Sequence, residues 1–592
     1  MSVAQHPTGD RRLPASPRRP APARSPALAR VAPWAIGIIV IALVTWPLVF
    51  VGGGFSGDWP THLWFVWHQG EALLHDPRPS LFVHYDDGVF YPHFAFYGGT
   101  LYTLVGGLSA VLGGSGRNAY VSSWILAFAA AYAGWVWLGR MAGLGRWRAQ
   151  LPAVLFVTSP YLLTTTYVRG DWPELLAVCS MPLLVAAGGS VLRDDRLRLL
   201  PALALALTTI AFTGSHNLTL LWGTTFLAVL GVALWAGVPA ARRLVTRGGA
   251  LRAASVVVPA VLVNAWYLLP DLAYQAHTVI SAQYGNWRYL LEARMDLVAP
   301  AHLFALDRPT ALPAAAEFVL ALPVLAMGWA VIAGGLTLPR ARGGTWARLF
   351  VGWAVTAAAL IVLMTHAGLV LALPRPYVMI QFTYRLESYV LLAITGAVLA
   401  ALVLLRDAPR RISGWTWVLV PVLAVWVSGA IGQTAGHPGG GQVSSFLKPT
   451  IGSMGIFGDA GVPELQRIRL PQVRFPPEQV RHDRVTVTAR VAPGQAVDTN
   501  LMTMPALVTI EGATLIGDHT TQHDGDVRRH AVLRIDPGAT PGAARITIRA
   551  AHPPAVTIGR VLSLVGILGL LVALGRPALR RRGSSTEAVP AP

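Results

Sequence analysis

Gly57-Asp58-Trp59-Pro60-Thr61-His62 sets a carboxylate and an imidazole a few positions beyond the first long apolar run. The aromatic run Leu63-Trp64-Phe65-Val66-Trp67-His68 follows at once. A carboxylate at the water boundary of an apolar chain is costly unless it is used, which makes Asp58 a candidate functional residue. Its natural chemistry is to take a proton from a hydroxyl, as a general base. His62, about one helical turn on, is placed to orient it. The competing reading is plain: Asp followed by Pro is a good helix start, and Asp58 could simply be a cap.

Other polar residues collect in short segments between apolar runs. His84, Asp86, Asp87 and His93 fall in the same segment as Asp58. Tyr167-Val168-Arg169-Gly170-Asp171-Trp172-Pro173-Glu174 is a second group, Ser215-His216-Asn217 a third, and Gln381-Phe382-Thr383-Tyr384-Arg385-Leu386-Glu387 a fourth. Arg385 can grip a phosphate bidentately, as a lysine cannot. Arg169 with Asp171 also reads as an ordinary ion pair closing its loop, and His216-Asn217 as a turn cap. His62, His84 and His93 with Asp86 and Asp87 could hold a divalent ion. No tight ligand spacing supports that, and Asp86-Asp87-Gly88 is a common turn signal.

The surroundings of these groups are a membrane. Of 592 residues, 54% are hydrophobic and 13% charged, where soluble domains carry about 25% charge. Apolar runs near 20 residues recur, which means a polytopic membrane protein. The net charge of +19 comes from arginine, Lys448 being the only lysine. The arginines sit in short loops between apolar runs, which fits membrane topology and not nucleic-acid binding. A lone Cys179, inside an apolar run, excludes an intrachain disulfide and reads as a packed core residue.

Residues 1–32, rich in Pro, Ala and Arg, read as a disordered cytoplasmic tail. Pro33–Val51 reads as an uncleaved first span. Later apolar runs lie near 97–114, 119–138, 150–167, 173–191, 199–213, 217–236, 250–270, 313–335, 346–364, 388–405, 415–432 and 559–575. If 97–114 lies on the surface, twelve spans remain, and 26 arginines fall on one side against 8 on the other before the last loop. The positive-inside rule favours this arrangement, with the first outer loop at 54–118. Residues 33–432 then form the transmembrane domain, 558–576 the last span and 577–592 a cytoplasmic tail. The alternating runs Arg484–Val491, Ala506–Ile516, His530–Ile535 and Ala544–Ala550 read as strands. They predict a small extracytoplasmic β-sandwich-like domain over 433–557. The polar groups all face one side, the extracytoplasmic one, as an active site on the outer membrane face would be built.

Those groups, with Phe90-Tyr91-Pro92-His93-Phe94-Ala95-Phe96-Tyr97, resemble bacterial membrane proteins known as "6-pyruvoyl-tetrahydropterin synthase-related". The group in turn resembles the GT-C class of glycosyltransferases. That resemblance covers residues 33–432. It implies a mainly α, GT-C-like fold of about twelve membrane helices plus interfacial helices. It implies a polyprenyl-phosphate sugar donor, inversion at the anomeric carbon and a glycan, lipid or protein acceptor, at the cytoplasmic membrane of a bacterium. Asp58 takes the base role with His62 beside it, and Arg385 the phosphate side. Gln381, Arg169, Asp171, Glu174, His216, Asp86, Asp87 and His93 become substrate-binding candidates. Thr383 stands where a proline is expected after Gln-Phe, and a single Asp where many GT-C enzymes carry an acidic pair. Two other classes compete. A transporter of lipid-linked glycans would show broken helices near the midplane and repeated halves; an envelope assembly protein would not need Asp58.

Overall fold

The computed structural model describes residues 26–50, 58–85, 89–275, 312–339, 344–378, 383–435, 484–523 and 526–583, together with Ala341 and Ile380. Asp86, Asp87 and Gln381 lie outside the described residues. After α1 (Pro26–Phe50) the chain re-enters helix at α2 (Trp59–His75), where Pro60 in the first turn pre-sets the backbone. α2 buries Leu63, Trp64, Phe65 and Val66. It lies against α3 (Gly99–Val111) through a glycine pair. A Cβ on Gly70 would meet the Gly106 carbonyl at 2.9 Å, so these backbones touch only because both positions lack side chains. At 13 residues, α3 is about 20 Å long, short of the roughly 30 Å hydrocarbon core.

α4 (Gly116–Met141) is capped by Ser115, whose hydroxyl accepts from Asn118. The run expected to span at 150–167 is instead broken into α5 (Gln150–Val157), α6 (Pro160–Thr164) and a π turn over Thr165–Arg169. Ser159-Pro160 is the cause: Ser159 caps the new helix and proline cannot continue the old one. The π turn delivers Arg169 to the start of α7 (Trp172–Arg193). α7 packs on α4 and on α8 (Leu199–Thr213), and α9 (Asn217–Gly237) follows. The run 250–270 is also interrupted: helices Arg247–Val263 and Ala265–Tyr274 meet at 63°. At the break, Asn264 donates to the Ile210 carbonyl (3.1 Å) and to Thr213 Oγ1 (2.5 Å), and Trp266 N–H donates to Ser563 Oγ (2.9 Å). Those partners satisfy the groups that a bend frees.

The helix Glu387–Arg406 is buried along its whole length except Arg406, so it is the axis of the bundle. The turn Thr383–Leu386 leads into it and carries Arg385. Among the described residues, six helices are long and apolar enough to cross a membrane, or seven if the bent pair is one span. The chain is a multi-pass membrane protein. The twelve spans expected are not reached among these residues, partly because the breaks above shorten helices that the apolar pattern draws as continuous.

The C-terminal region is a β domain of two three-stranded antiparallel sheets. β3 (Arg484–Ala489), β9 (Ala544–Ala550) and β6 (Val508–Glu511) form one, in the order β3-β9-β6. β4 (Ala496–Asp498), β8 (Asp526–Ile535) and β7 (Ala513–His523) form the other, in the order β4-β8-β7. Val485, Ile546, Ile548, Leu533 and Ile535 are buried in a common core, as alternation along half-buried strands requires. The domain also reaches back to the first loop. There β1 (Val83–Tyr85) and β2 (Val89–Tyr91) pair, and β5 (Met502–Thr503) adds to β2 in parallel, Phe90 opposite Thr503.

Candidate active site

Four helix starts converge. The Asp58 backbone N–H donates to the Arg169 carbonyl (2.8 Å), tying the start of α2 to the start of α7. Gly170, at φ +66°, lies against this junction; a Cβ there would sit 2.4 Å from the Trp59 nitrogen. Only glycine meets both demands. Trp59 and Trp172 each stand edge-on to Tyr120, with ring centroids 5.1 Å apart in both cases. His216 precedes α9 and Arg385 precedes the central helix.

Arg169 and Arg385 share two carboxylates. Arg169 Nη2 donates to Asp171 Oδ2 (2.7 Å) and Glu174 Oε2 (2.8 Å). Its Nη1 donates to the Tyr161 hydroxyl (3.2 Å) and Thr165 Oγ1 (3.4 Å), and Tyr161 in turn bonds Glu174. Tyr384 lies under the guanidinium, 5.0 Å from ring centroid to Cζ. Arg385 makes longer contacts, Nη2 to Asp171 Oδ2 at 3.3 Å and Nε to Glu174 Oε2 at 3.6 Å. Asp171 also caps α7, its Oδ1 accepting from the Glu174 amide (3.4 Å). Burial works against its charged form, yet the Arg169 and Arg385 guanidiniums hold its carboxyl below the usual range.

Asp58 stands at the cap position of α2, but its side chain makes no cap hydrogen bond. Burial, reinforced by Asp171, pushes its carboxyl from 3.8 up to about 6, against the pull of Arg385 and Arg169. A carboxylate poised near neutrality with arginines nearby has the properties of a general base. His62 is one turn on; its Nδ1 shares a hydrogen bond with the Tyr102 hydroxyl (2.6 Å), and its ring stacks parallel to Tyr97. Burial pulls it down to about 4, so the ring is neutral. Its hydrogen-bond partner is thus Tyr102, not Asp58.

The structure brings together Asp58, Arg169, Asp171, Glu174, His216 and Arg385. His93 is placed elsewhere in function: it stacks on Phe65 at 3.9 Å among Phe94, Tyr97 and Tyr102, and burial pulls it down to about 3. Among the described residues no three His, Cys, Asp or Glu side chains are gathered as metal ligands. His62 and His93 are neutral rings in an aromatic setting, and the acidic part of the proposed ion site, Asp86 and Asp87, is outside the described residues. Sequence reasoning missed Tyr161, Tyr384 and Tyr102. Tyr161 and Tyr102 sit inside apolar runs, where a tyrosine carries no signal of a polar role. Tyr384 adjoins Arg385, and that adjacency was the available hint. Glu387, the first residue of the central helix, was also passed over; it is buried and its Oε1 has no partner among the described residues.

No protein-family model matches the chain, and no curated protein matches it. The resemblance to the pyruvoyl-tetrahydropterin synthase-related group thus has no family model behind it. The chain is similar to several solved structures. One is the arabinofuranosyltransferase AftD from Mycobacteria, at 16% identity and a TM-score of 0.42, covering 68% of this chain and 27% of that one. Another is ArnT from Cupriavidus metallidurans bound to undecaprenyl phosphate, at 13% identity and a TM-score of 0.29, covering 64% of this chain and 77% of that one. The chain therefore spans about a quarter of the AftD length. At such identities and TM-scores the likeness carries no functional argument, and the site's own geometry has to.

Proposed function

We propose that the protein is a membrane glycosyltransferase acting on the outer face of the cytoplasmic membrane. It takes a sugar from a polyprenyl-phosphate donor and gives it, with inversion, to a hydroxyl of a glycan, lipid or protein. Asp58 removes the hydroxyl proton. The freed oxygen bonds to the anomeric carbon as the sugar–phosphate bond breaks, and its electron pair leaves on the lipid phosphate. Arg385 receives that charge as a preorganised cation. Arg169, Asp171, Glu174 and His216 shape the phosphate side, with Gln381, Asp86 and Asp87 on the substrate side.

The observation that supports this reading best is the state of Asp58: an uncapped carboxylate pushed up to about 6 beside a two-arginine, two-carboxylate cluster. Asp58→Asn tests it. Asn caps helices about as well as Asp, so the variant should fold, insert and bind polyprenyl-phosphate sugar. Transfer by the purified protein in lipid should fall about 10²–10⁴-fold. Near-normal transfer would remove Asp58 from the chemistry.

One observation favours a second reading. The bent pair Arg247–Val263 and Ala265–Tyr274 is a broken helix of the kind that lines transport paths. A transporter of lipid-linked glycans would move its cargo across proteoliposome membranes with Asp58→Asn intact and no acceptor modified.

A further inference from the structure

Residues 91–100 lead from the first strand pair into α3, and every one of them is buried except Tyr97, which is half-buried. The backbone on both sides of Tyr97 is tied down. The Phe96 and Tyr97 N–H groups donate to the His93 carbonyl (3.0 and 3.1 Å), and the Phe96 carbonyl accepts from Asn217 Nδ2 (2.7 Å). Gly98 follows at φ +57°, and a Cβ there would sit 2.7 Å from the Ser215 carbonyl, so only glycine lets the chain lie this close to the start of α9. The Tyr97 ring is held parallel to His62 (12° between planes, centroids 6.1 Å apart) and edge-on to His216 (89°, 5.6 Å).

Its hydroxyl differs from those around it. Tyr102 bonds His62, Tyr161 bonds Glu174, Tyr267 donates to the Thr213 carbonyl and Tyr389 to the Thr219 carbonyl. The Tyr97 hydroxyl makes no hydrogen bond among the described residues. Burial, then Asp171, pushes its phenol well above the usual range, against the pull of Arg385; Asp58 and Glu174 push the same way. It therefore keeps its proton and is a neutral donor. The charges that reach it locate it: Asp58 is the base of the proposed reaction and Arg385 the partner of the phosphate. In an inverting displacement the attacking oxygen and the leaving oxygen lie on opposite faces of the sugar. The transferred sugar then lies between base and phosphate, and a side chain within reach of both borders it.

We propose that Tyr97 lines the pocket for the transferred sugar, its hydroxyl donating to a sugar oxygen while Arg385 holds the carrier's phosphate. This deepens the donor reading above and rests on it. A phenol that stays protonated suits a neutral sugar oxygen, whereas the arginine suits the charged phosphate. The tied backbone sets the ring in place before the ligand arrives, which lowers the ordering cost of binding. Sugar and phosphate are held by different residues, so the two contacts can be removed separately. Tyr97→Phe deletes one oxygen and keeps the ring between His62 and His216.

The test is a titration of the full chain in detergent with farnesyl phosphate and with farnesyl phosphates carrying D-ribose, D-arabinose, D-glucose, D-galactose or D-mannose, alongside thermal unfolding. Wild type should bind at least one sugar-bearing ligand more tightly than farnesyl phosphate. Tyr97→Phe should bind that ligand about threefold to tenfold more weakly, the loss of one neutral hydrogen bond. Its affinity for farnesyl phosphate and its Tm should be unchanged. Arg385→Ala should weaken both ligands. An equal loss for both ligands in Tyr97→Phe would place the hydroxyl on the phosphate and overturn the sugar assignment. Wild-type affinity for the sugar-bearing ligand in Tyr97→Phe, or no sugar that improves on farnesyl phosphate in wild type, would overturn this inference alone. Wild type that binds none of these ligands would overturn the donor reading with it.

Discussion

Gly57-Asp58-Trp59-Pro60 and Gly170-Asp171-Trp172-Pro173 are the same four residues at two helix starts that touch. Each tryptophan stands edge-on to Tyr120. The aspartates nevertheless end in opposite conditions. Asp171 caps its helix with Oδ1 and takes Arg169 and Arg385 on Oδ2. Asp58 caps nothing. Two local differences follow the motifs: Glu174 stands three residues after Asp171, Thr61 three after Asp58, and Arg169 precedes only the second turn. One carboxylate is consumed by structure and the other is left for chemistry. A motif therefore names a helix start, and its function depends on which neighbours claim the carboxylate.

The sharpest way to break this comparison is to neutralise each aspartate in turn. Asp171→Asn takes one of two shared carboxylates away from two buried guanidiniums, and breaking such a buried pair costs about 3–5 kcal/mol. Unfolding in detergent should show that loss, and expression should fall with it. Asp58→Asn should show none. Equal stability losses in both would mean that Asp58 is structural too.

The sequence made some of this site legible and hid the rest for physical reasons. Asp58, Arg169, Asp171, Glu174, His216 and Arg385 are polar residues at the ends of apolar runs, where burial of charge is expensive enough to be noticed. The repeated Gly-Asp-Trp-Pro was also in plain view and went unread, because the two copies differ in what surrounds them. Tyr161 could not be found from its run, since only the fold brings its hydroxyl to Glu174. In the C-terminal region the alternating runs Arg484–Val491, His530–Ile535 and Ala544–Ala550 fall on β3, β8 and β9, whereas Ala506–Ile516 divides between β6 and β7, and β4 and β5 were not foreseen. The pairing of Phe90 with Thr503 was not foreseen either, because so short a ladder between distant segments, Val89 with Met502 and Phe90 with Thr503, leaves no trace in local pattern. The breaks at Ser159-Pro160 and Asn264 were readable only in part: a Ser-Pro pair is a recognised stop, but an Asn within an apolar run is not.

Arg385 sharpens the comparison from the cation side. Its bonds to the shared carboxylates are longer than those of Arg169, so it has the weaker structural claim. Arg385→Ala should weaken donor binding by about 2–5 kcal/mol, and Arg385→Lys should already weaken it, because a point charge cannot reproduce the fork. Isothermal titration with a polyprenyl-phosphate sugar reads this; unchanged affinity would take Arg385 out of the site.

A smaller effect is expected where the two turns meet. Gly170→Ala forces a side chain into a left-handed position and against the Trp59 backbone, at a cost of about 1–3 kcal/mol. If stability drops while transfer per folded molecule is kept, the junction is scaffold. If transfer falls further than stability, the junction also aims Asp58.

The smallest effect carries the clearest sign. Asp58 titrates higher in the folded protein than its ordinary 3.8, near 6. Its contribution to stability is therefore fully present below about 3.8 and is lost as pH rises through about 6. Asp171 is held below the ordinary range by its arginines, so its contribution is present above that range and is lost as pH falls through the lowered value. Thermal unfolding of the two Asn variants against wild type from pH 3.5 to 8 should then give differences that run in opposite directions. Asp58→Asn should match wild type near pH 4 and become the more stable protein by pH 7. Asp171→Asn should be far less stable at pH 7 and recover part of its deficit as pH drops toward the acid end. Transfer should follow Asp58, rising as pH passes about 6 and its carboxyl gives up its proton. Stability differences of the same sign in both variants would mean that burial does not raise Asp58 at all, and the case for a base poised near neutrality would go with it.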